Sequence, residues 1–350
     1  MSKRQITLAD LAKELHISTA TVSRALKDYP DISDETKRRV LALAREKNYR
    51  PNTMAAGLRN QESKIIGVII PEIVNHFFSS VIKGIMQVCY DADYRVMLCQ
   101  SSESYEKEVA DANALFSSRV DGLLISLGHE TTQFDHFQDF HDAGIPVVQF
   151  DKVSDEIANT SKVVVDDYLG AFHAVEHLIQ TGKKRIAHLR GPLVASTSRN
   201  RMHGYRDALM HYGLPVDESL ILGCQHITLE EGQELCGQLL EIPNRPDAIF
   251  CITDAVAIGA MVSAKQAGLR VPEDMAFAGF SDWQISAIVE PSLTSVSQPS
   301  FEMGKKAAQI LIEEIRAIKE DRPVAHETYV LKTALKIRNS SIPKIENVIL

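Results

Sequence analysis

The sequence contains no apolar run long enough to span a membrane, and its first residues, MSKRQITLADL, lack the apolar stretch of a secretory signal. Cysteine is scarce, and the five residues are odd in number and widely spaced: Cys89, Cys99, Cys224, Cys236 and Cys251. Such spacing fits no zinc or redox motif and predicts buried, reduced thiols. We therefore expect a cytoplasmic protein with no membrane partner.

Several enzyme motifs are also missing. The sequence has no G-x-S-x-G elbow, no P-loop and no G-x-G-x-x-G that opens a helix. His173 and His177 lie on one predicted helix, DYLGAFHAVEHL, but no third metal ligand is evident and a packing role is favoured. We expect no catalytic residues, no metal and no cofactor.

Charge is distributed unevenly along the chain of 350 residues. Residues 1–60 hold 12 of the 38 Lys and Arg and 7 of the 46 Asp and Glu, a net charge of +5, which leaves −13 for the remainder. A basic head on an acidic body predicts a module that binds a polyanion. The length predicts two or three domains.

The basic head carries signals for three short helices. Thr7 and Asp10 have the spacing of a capping box in front of LADLAKEL. Ser18 is placed to cap a second helix, and Ser33 a third that ends before Pro51. Two short helices joined by a tight turn and closed by a third predict a helix-turn-helix.

The second helix of this head has a small, polar outer face. Val22, Ala25 and Leu26 are predicted to face inward, whereas the outer face carries Thr19, Ala20, Ser23, Arg24 and Lys27. Short side chains let a helix lie deep in the major groove, and an arginine can bond guanine O6 and N7. The alternative is a small structural bundle whose polar face is only solvated.

The head ITLADLAKELHISTATVSRALKD, with ISDETKRRVLALAREKNYRPN after it, resembles the DNA-binding head of the LacI/GalR family of bacterial transcription regulators. This resemblance implies that Thr19, Ala20 and Arg24 read bases. It assigns the positioning of phosphates to Ser18, Thr21, Ser23 and Asn52. His16 stands where the family usually has glycine, and histidine tolerates the left-handed conformation better than most side chains.

The segment NTMAAGLRNQESK is too short to be a stable isolated helix, so we expect a linker that orders on binding. In the family this stretch forms a hinge helix on the operator. The resemblance places Leu58 in the minor groove, with Ala55 and Arg59 also at the DNA. The alternative is that Leu58 touches only protein.

From residue 64 onward, short apolar runs alternate with amphipathic helices. The predicted strands are IIGVII, YRVMLCQ, DGLLIS, IPVVQF, KVVVD, RIAHLR, DAIFCI and MAFAGF. Such runs indicate parallel strands that are buried on both faces. The fold class is therefore α/β, with a three-helix head and a core of two doubly wound lobes. The family resemblance makes this core similar to periplasmic sugar-binding proteins.

The expected domains are a helix-turn-helix head, a hinge, a core for effector binding and dimerisation, and a short tail, at residues 1–51, 52–63, 64–341 and 342–350. Within the core we expect an N-lobe at 64–162 and 293–326, and a C-lobe at 163–292 and 327–341. The tail IPKIENVIL has no sustained heptads for a tetramerisation arm, so we expect a homodimer on a pseudo-palindromic site in double-stranded DNA.

Ligands of doubly wound sheets bind at the carboxyl ends of the strands, and here the cleft between the lobes is the predicted site. The resemblance makes Arg201 the bidentate anchor for a ligand hydroxyl pair or carboxylate. It implies that the cleft is lined by Asn75, Phe77, Ser126, Asp151, Thr197, Asp254 and Gln298. Alternatively, Asp254 caps a helix and Asn75 serves a turn.

Two further positions of the predicted pocket depart from the family pattern, and a third residue bears on the second of them. Ser281 stands where aspartate is common, and Ile227 where a stacking aromatic is often found. Trp283, the only tryptophan, either supplies a stacking face or packs at the lobe surface.

Head and core together predict a transcriptional regulator whose operator affinity is controlled allosterically by a small molecule. We expect a repressor, with an activator as the alternative. We expect a sugar or sugar phosphate as the effector, and a nucleobase or nucleoside as the alternative. A solute-binding protein without DNA function would explain the cleft but not the basic head.

Overall fold

The helix-turn-helix head contains α1 (Leu8–Leu15), α2 (Thr19–Leu26) and α3 (Asp34–Glu46). The structure is a computed structural model that describes residues 6–49, 62–74 and 76–342. By its internal contacts the chain divides into two units, Met1–Ser63 and Lys64–Leu350. Among the described residues, no helix is long and apolar enough to cross a membrane.

Local signals in the sequence determine where the three head helices begin. Thr7 and Asp10 form the predicted capping box, and the hydroxyls of Ser18 and Ser33 cap α2 and α3. His16 adopts the expected left-handed conformation, with φ of 58°, in the turn between α1 and α2. The helices enclose a small core that includes Leu11, Val22, Ala25 and Val40.

The N-lobe is built around the first of two six-stranded sheets. The elements of the N-lobe that come before the chain first enters the C-lobe are β1 (Ile65–Ile70), α4 (His76–Asp91), β2 (Arg95–Gln100), α5 (Tyr105–Ser117), β3 (Gly122–Ile125), a 3₁₀ turn (Asp135–Phe137), α6 (Gln138–Asp142), β4 (Val147–Phe150) and β5 (Ser161–Val165).

The C-lobe follows without interruption and contains the second sheet. Its elements are α7 (Asp167–Gln180), β6 (Ile186–Arg190), α8 (Ser196–His211), a 3₁₀ turn (Glu218–Leu220), β7 (Ile221–Gly223), α9 (Leu229–Glu241), β8 (Ala248–Cys251), α10 (Asp254–Gln266), β9 (Ala276–Ser281), a second 3₁₀ turn (Gln284–Ala287) and β10 (Thr294–Ser297). The chain then returns to the N-lobe as α11 (Ser300–Lys319) and β11 (Thr328–Leu331), and ends in the C-lobe with β12 (Ala334–Lys336).

Both sheets are parallel except at one edge. The strand order is β11-β5-β4-β3-β1-β2 in the N-lobe and β12-β10-β9-β8-β6-β7 in the C-lobe. Among the described strands only β12 pairs antiparallel, with β10. Helices cover both faces of each sheet, so two apolar clusters form in each lobe. All eight predicted strands are present, and each pairs in one of the two sheets. All five cysteines are free, and all but Cys99 are buried.

The predicted lobe boundaries are wrong by several residues. Strands β5 and β11 belong to the N-lobe sheet, although most of β5 and all of β11 were expected in the C-lobe. Strand β10 belongs to the C-lobe sheet and not to the N-lobe. The last paired residues of β5, β10 and β11 are Val165, Ser297 and Leu331. The chain crosses from one lobe to the other after each of these three residues.

Candidate functional site

The outer face of α2 is available to a partner. Thr19, Ala20 and Arg24 are exposed, as expected for the outer face of this helix, and their contact with bases stays a prediction. The hydroxyls of Ser18 and Thr21 lie 2.8 Å apart, and Ser18 also accepts the backbone N–H of Thr21. The hydroxyls of Ser18 and Thr21 therefore form hydrogen bonds within the N-terminal cap of α2. The side chains of Thr19, Ala20 and Arg24 remain exposed.

Five predicted site residues lie outside the part of the chain that the structure describes. These are the predicted DNA contacts Asn52, Ala55, Leu58 and Arg59, and the predicted effector contact Asn75. Ser23, the remaining predicted phosphate contact, is half-buried on α2.

On the N-lobe side of the cleft, a buried carboxylate follows the end of β4. Asp151 is 8% exposed and has a φ of 59°, a left-handed backbone that aspartate adopts more readily than most residues. The Ser126 hydroxyl, just after β3, donates to Asp151 Oδ2 over 3.4 Å. Burial raises the pKa of Asp151 to about 6, against the opposing effect of the Lys152 charge. Within the described parts of the chain, the 3.4 Å bond from Ser126 is the one hydrogen bond to this carboxylate.

On the C-lobe side, Arg201 is held in place by an acid that the sequence analysis missed. Its Nε and Nη2 both lie 2.8 Å from Oδ1 of Asp167, and its Nη1 donates to the Ile252 carbonyl over 2.7 Å. The guanidinium also lies over the Phe280 ring, 3.6 Å from its centroid. Of the five N–H groups of an arginine, two remain for a ligand. The bidentate Nε and Nη2 edge is therefore occupied by Asp167 and not free for an effector.

Asp254 does not cap α10, because Thr253 accepts the capping N–H. Its buried carboxylate accepts hydrogen bonds from the Trp283 backbone at 2.6 Å, from Ser286 at 2.7 Å and from Ser295 at 2.5 Å. Burial raises the pKa of Asp254 to about 6 in spite of these donors. Since three protein groups use its oxygens, Asp254 holds the loop of Trp283 in position.

The end of β9 meets the crossing that follows β10. Ser281 has a φ of 110°, and its hydroxyl donates to Oε1 of Gln298 over 2.9 Å. Gln298 is 8% exposed, and its buried Nε2 meets no acceptor within the described residues. A buried donor without a partner is costly, so this amide is suited to a ligand that accepts a hydrogen bond.

The predicted apolar residues lie against the lobe cores. Phe77 packs edge to face with Phe78 in the N-lobe core. Ile227 and Trp283 both pack on the same C-lobe cluster, which favours the packing role for Trp283. Ile227 has a φ of 55°, which is strained for a β-branched residue, and Glu231 supports this turn by accepting the Ile227 N–H at 2.7 Å.

An open cavity of about 170 Å³ lies between the lobes, and two of its lining segments begin one residue after the predicted contacts Ser126 and Asp151. On the N-lobe side it is lined by residues between 127 and 134 and by Lys152, Val153, Ser154 and Glu156, but not by Asp155. On the C-lobe side it is lined by residues between 194 and 199. Across it, the Val153 N–H donates to the Ser196 hydroxyl over 3.1 Å. Among the described residues, no predicted effector contact lines this cavity. Ser126 and Asp151 directly precede lining residues, and Thr197 directly follows the lining residue Ser196.

Sequence reasoning missed Asp167, Lys152 and Ser196. Asp167 comes just after β5, and the rule that placed Ser126 and Asp151 at strand ends would have found it. Lys152 bonds Glu103 over 2.5 Å, a pairing of residues from different loops for which the sequence contains no local signal.

The chain matches two family models. Residues 7–52 match the bacterial regulatory proteins of the lacI family, and residues 63–342 match the periplasmic binding proteins and sugar binding domain of the LacI family. Catabolite control protein A of Priestia megaterium is 35% identical over 308 residues, which cover 87% of this chain and 91% of that protein.

Two solved structures are similar over nearly the whole chain. The lac repressor dimer bound to operator and the anti-inducer ONPF has a TM-score of 0.83 at 25% identity, covering 97% of this chain and 99% of that one. The complex of the transcriptional regulator CelR with cellobiose has a TM-score of 0.72 at 27% identity, covering 96% and 100%. The chain belongs to the LacI family of bacterial regulatory proteins.

Proposed function

We propose that this protein is a homodimeric repressor that binds a pseudo-palindromic operator through α2. A saccharide or sugar phosphate bound between the lobes lowers or raises its affinity for the operator. The observation that carries this proposal is the exposed outer face of α2, with Thr19, Ala20 and Arg24, on the same chain as a two-lobed core. As a member of this family the chain is a regulator and not an enzyme.

The chemistry of the cleft supports a hydroxyl-rich ligand. Asp151 is a buried acceptor that receives one long side-chain hydrogen bond from the described residues, and sugar hydroxyls are donors that would satisfy it. Arg201 offers two remaining N–H groups and Gln298 one unpartnered amide, so acceptor oxygens of the same ligand would be bonded as well. The structurally similar CelR is complexed with cellobiose, a saccharide.

Ligand binding between the lobes would be coupled to the operator through the lobe arrangement. The three crossings after Val165, Ser297 and Leu331 are the covalent connections about which the lobes would move. Asp151 of the N-lobe is within electrostatic reach of Asp167 and Arg201 of the C-lobe. A ligand that bonds both sides would favour one arrangement by its differential affinity, typically with a coupling of about 1 to 3 kcal/mol.

The DNA-binding part of the proposal is tested by measuring the dissociation constant of the purified protein for its own upstream DNA and for a scrambled duplex at several salt concentrations. Arg24→Ala should lose most of the preference, on the order of tenfold or more, because the bonds to guanine are lost. Arg38→Ala removes the same charge from an exposed position on α3 and should weaken both complexes alike. Unchanged preference in Arg24→Ala would contradict this role.

The effector is tested by calorimetric titration with neutral saccharides, sugar phosphates and nucleosides. Asp151→Asn should lower ligand affinity by about tenfold or more, because hydrogen bonds to a charged group contribute roughly 1.5 to 3 kcal/mol. Asp155→Asn, at an exposed carboxylate in the following loop, is the matched control. Binding of nucleosides but not saccharides would replace the proposed effector class and leave the DNA-binding role intact.

A further inference from the structure

The turn after α2 folds back and brings a carboxylate to the arginine that we propose reads the operator. Oδ2 of Asp31 lies 2.5 Å from Nη2 of Arg24, and the Tyr29 ring centroid lies 5.4 Å from the guanidinium carbon. The Tyr29 N–H donates to the Arg24 carbonyl over 3.1 Å, and Asp28 takes a left-handed φ of 57°. The backbone of the turn thus determines where Asp31 lies.

This ion pair has little importance for folding. The side chains of Arg24 and Asp31 are 50% and 45% exposed, and exposed pairs of this kind contribute little or nothing to stability. The turn is instead anchored by Ile32, which packs on the head core. The pair therefore acts on the conformation of Arg24, a long side chain that would otherwise sample many rotamers.

The geometry leaves Arg24 able to contact a base while it is held. A guanidinium has five N–H groups in one plane, and Asp31 approaches only one nitrogen of Arg24. The other N–H groups suffice for the two bonds that guanine O6 and N7 accept. A guanidinium whose orientation is already set favours the base pair whose acceptors match that orientation. The negative charge of Asp31 also repels DNA phosphates, which weakens binding to DNA of every sequence.

We propose that Asp31 is a positioning residue that orients Arg24 for one base pair of the operator and so increases discrimination between sequences. The inference rests on the proposed function, since it requires that α2 reads DNA. It predicts that loss of the carboxylate changes specificity through Arg24 and not through the general charge of the head.

The test uses the full-length protein and an operator selected from random duplexes by the wild type. To find the G·C pair that Arg24 reads, each base pair of the operator is replaced in turn. At that pair, replacement weakens binding of the wild type but does not change the dissociation constant of Arg24→Ala. Discrimination is the ratio of dissociation constants for the operator and for the duplex with that pair replaced. Asp31→Asn should lower this ratio by about tenfold, and Asp31→Glu, which keeps the charge, should retain part of it.

Asp28→Asn is the matched control, because it removes the same charge from the same turn. Asp28 pairs with Lys37 at 2.7 Å and has an 89% exposed side chain. Both substitutions should strengthen binding to scrambled DNA by a similar small factor, but only Asp31→Asn should lower discrimination. Added to Arg24→Ala, Asp31→Asn should cause no further loss.

The outcomes separate the inference from the proposed function. Equal effects of Asp31→Asn and Asp28→Asn on discrimination, or a further loss on the Arg24→Ala background, would overturn the positioning role alone. If Arg24→Ala itself retains full discrimination at every base pair, the proposed reading by α2 fails as well. The melting curve of each variant, compared with that of the wild type, checks that the substitution does not unfold the protein.

Discussion

At the scale of single residues, His188 is a buried group whose charge state matters for stability. On β6 its ring is stacked between Tyr205 and Phe250, with centroids 5.0 and 4.9 Å away. Nδ1 lies 2.9 Å from the Phe250 carbonyl, and Nε2 has no partner among the described residues. Burial lowers the pKa of His188 to about 4, so the ring is neutral in the folded protein at neutral pH.

His188 is predicted to destabilise the fold in acid. Between pH 6.5 and 4 the unfolded chain binds a proton on this histidine that the folded chain does not, so stability falls as the pH falls through this window. His188→Phe removes this effect, and its free energy of unfolding, relative to wild type, should rise by up to about 1.4 kcal/mol per pH unit on acidification. Urea denaturation at pH 7.5, 6 and 4.5 measures it.

The comparison with the variant is needed because two acids act in the opposite direction. Asp151 and Asp254 have pKa values raised to about 6, so the folded protein gains stability relative to the unfolded chain as the pH falls below 6. These contributions are common to wild type and His188→Phe. Parallel stability curves for the two proteins would show that His188 takes up its proton equally in both states.

At the scale of elements, the close helix pair α9 and α10 depends on glycine. A Cβ on Gly259 would lie 1.9 Å from the Leu229 carbonyl oxygen, so the two backbones touch at this point. Gly237, on α9, has open space instead, and its nearest neighbour would be the Ser263 hydroxyl at 3.9 Å. The same residue type therefore has a packing role at one position and none at the other.

Alanine at these two glycines should have opposite effects. Gly259→Ala should lower the free energy of unfolding by about 1 to 3 kcal/mol, because the helices must separate to admit the methyl group. Gly237→Ala should raise it by up to about 1 kcal/mol, because alanine has the higher helix propensity. Chemical denaturation of both variants measures the difference, and a Gly259→Ala protein as stable as wild type would contradict the close contact.

Strand prediction succeeded where burial leaves a local pattern. The eight strands predicted from apolar runs are all present, whereas β7, β10, β11 and β12 were not predicted. These four are only three or four residues long, and β10 reads Thr-Ser-Val-Ser. Its polar side chains are buried because Thr294 bonds Ser341 at 2.6 Å and Ser295 bonds Asp254, partners that lie far away in the sequence.

At the scale of the whole molecule, an apolar face of the N-lobe is left uncovered in the single chain. On α4, Met86 and Tyr90 are 54% and 73% exposed, close to the half-buried Ile82. Exposed apolar patches of this kind mark protein interfaces. Because we propose that the protein is a homodimer, the expected occupant of this face is a second copy of this chain.

Met86→Glu should weaken the dimer, because a charge placed in an apolar interface loses its hydration. We expect sedimentation velocity to show a larger monomer fraction and operator affinity to fall with dilution, since two heads on one dimer bind two half-sites. Met210→Glu, at 58% exposure on α8, is the control and should remain dimeric. If both variants sediment as the wild type does, this face of α4 is not the interface.

The sequence by itself determined the features that arise within a few residues of chain. The caps at Thr7, Ser18 and Ser33, the left-handed turn at His16 and the eight apolar strands were all predictable, because hydrogen bonds and burial patterns of this kind are local.

Only the tertiary structure decided which distant groups meet. Asp167 occupies one edge of Arg201, and the oxygens of Asp254 hold the loop of Trp283. The chain crosses between the lobes at residues other than those expected. The reason is that the sheet to which a strand belongs depends on the strands it pairs with, and not on its local composition. Such contacts join residues tens of positions apart, and packing alone sets their distances.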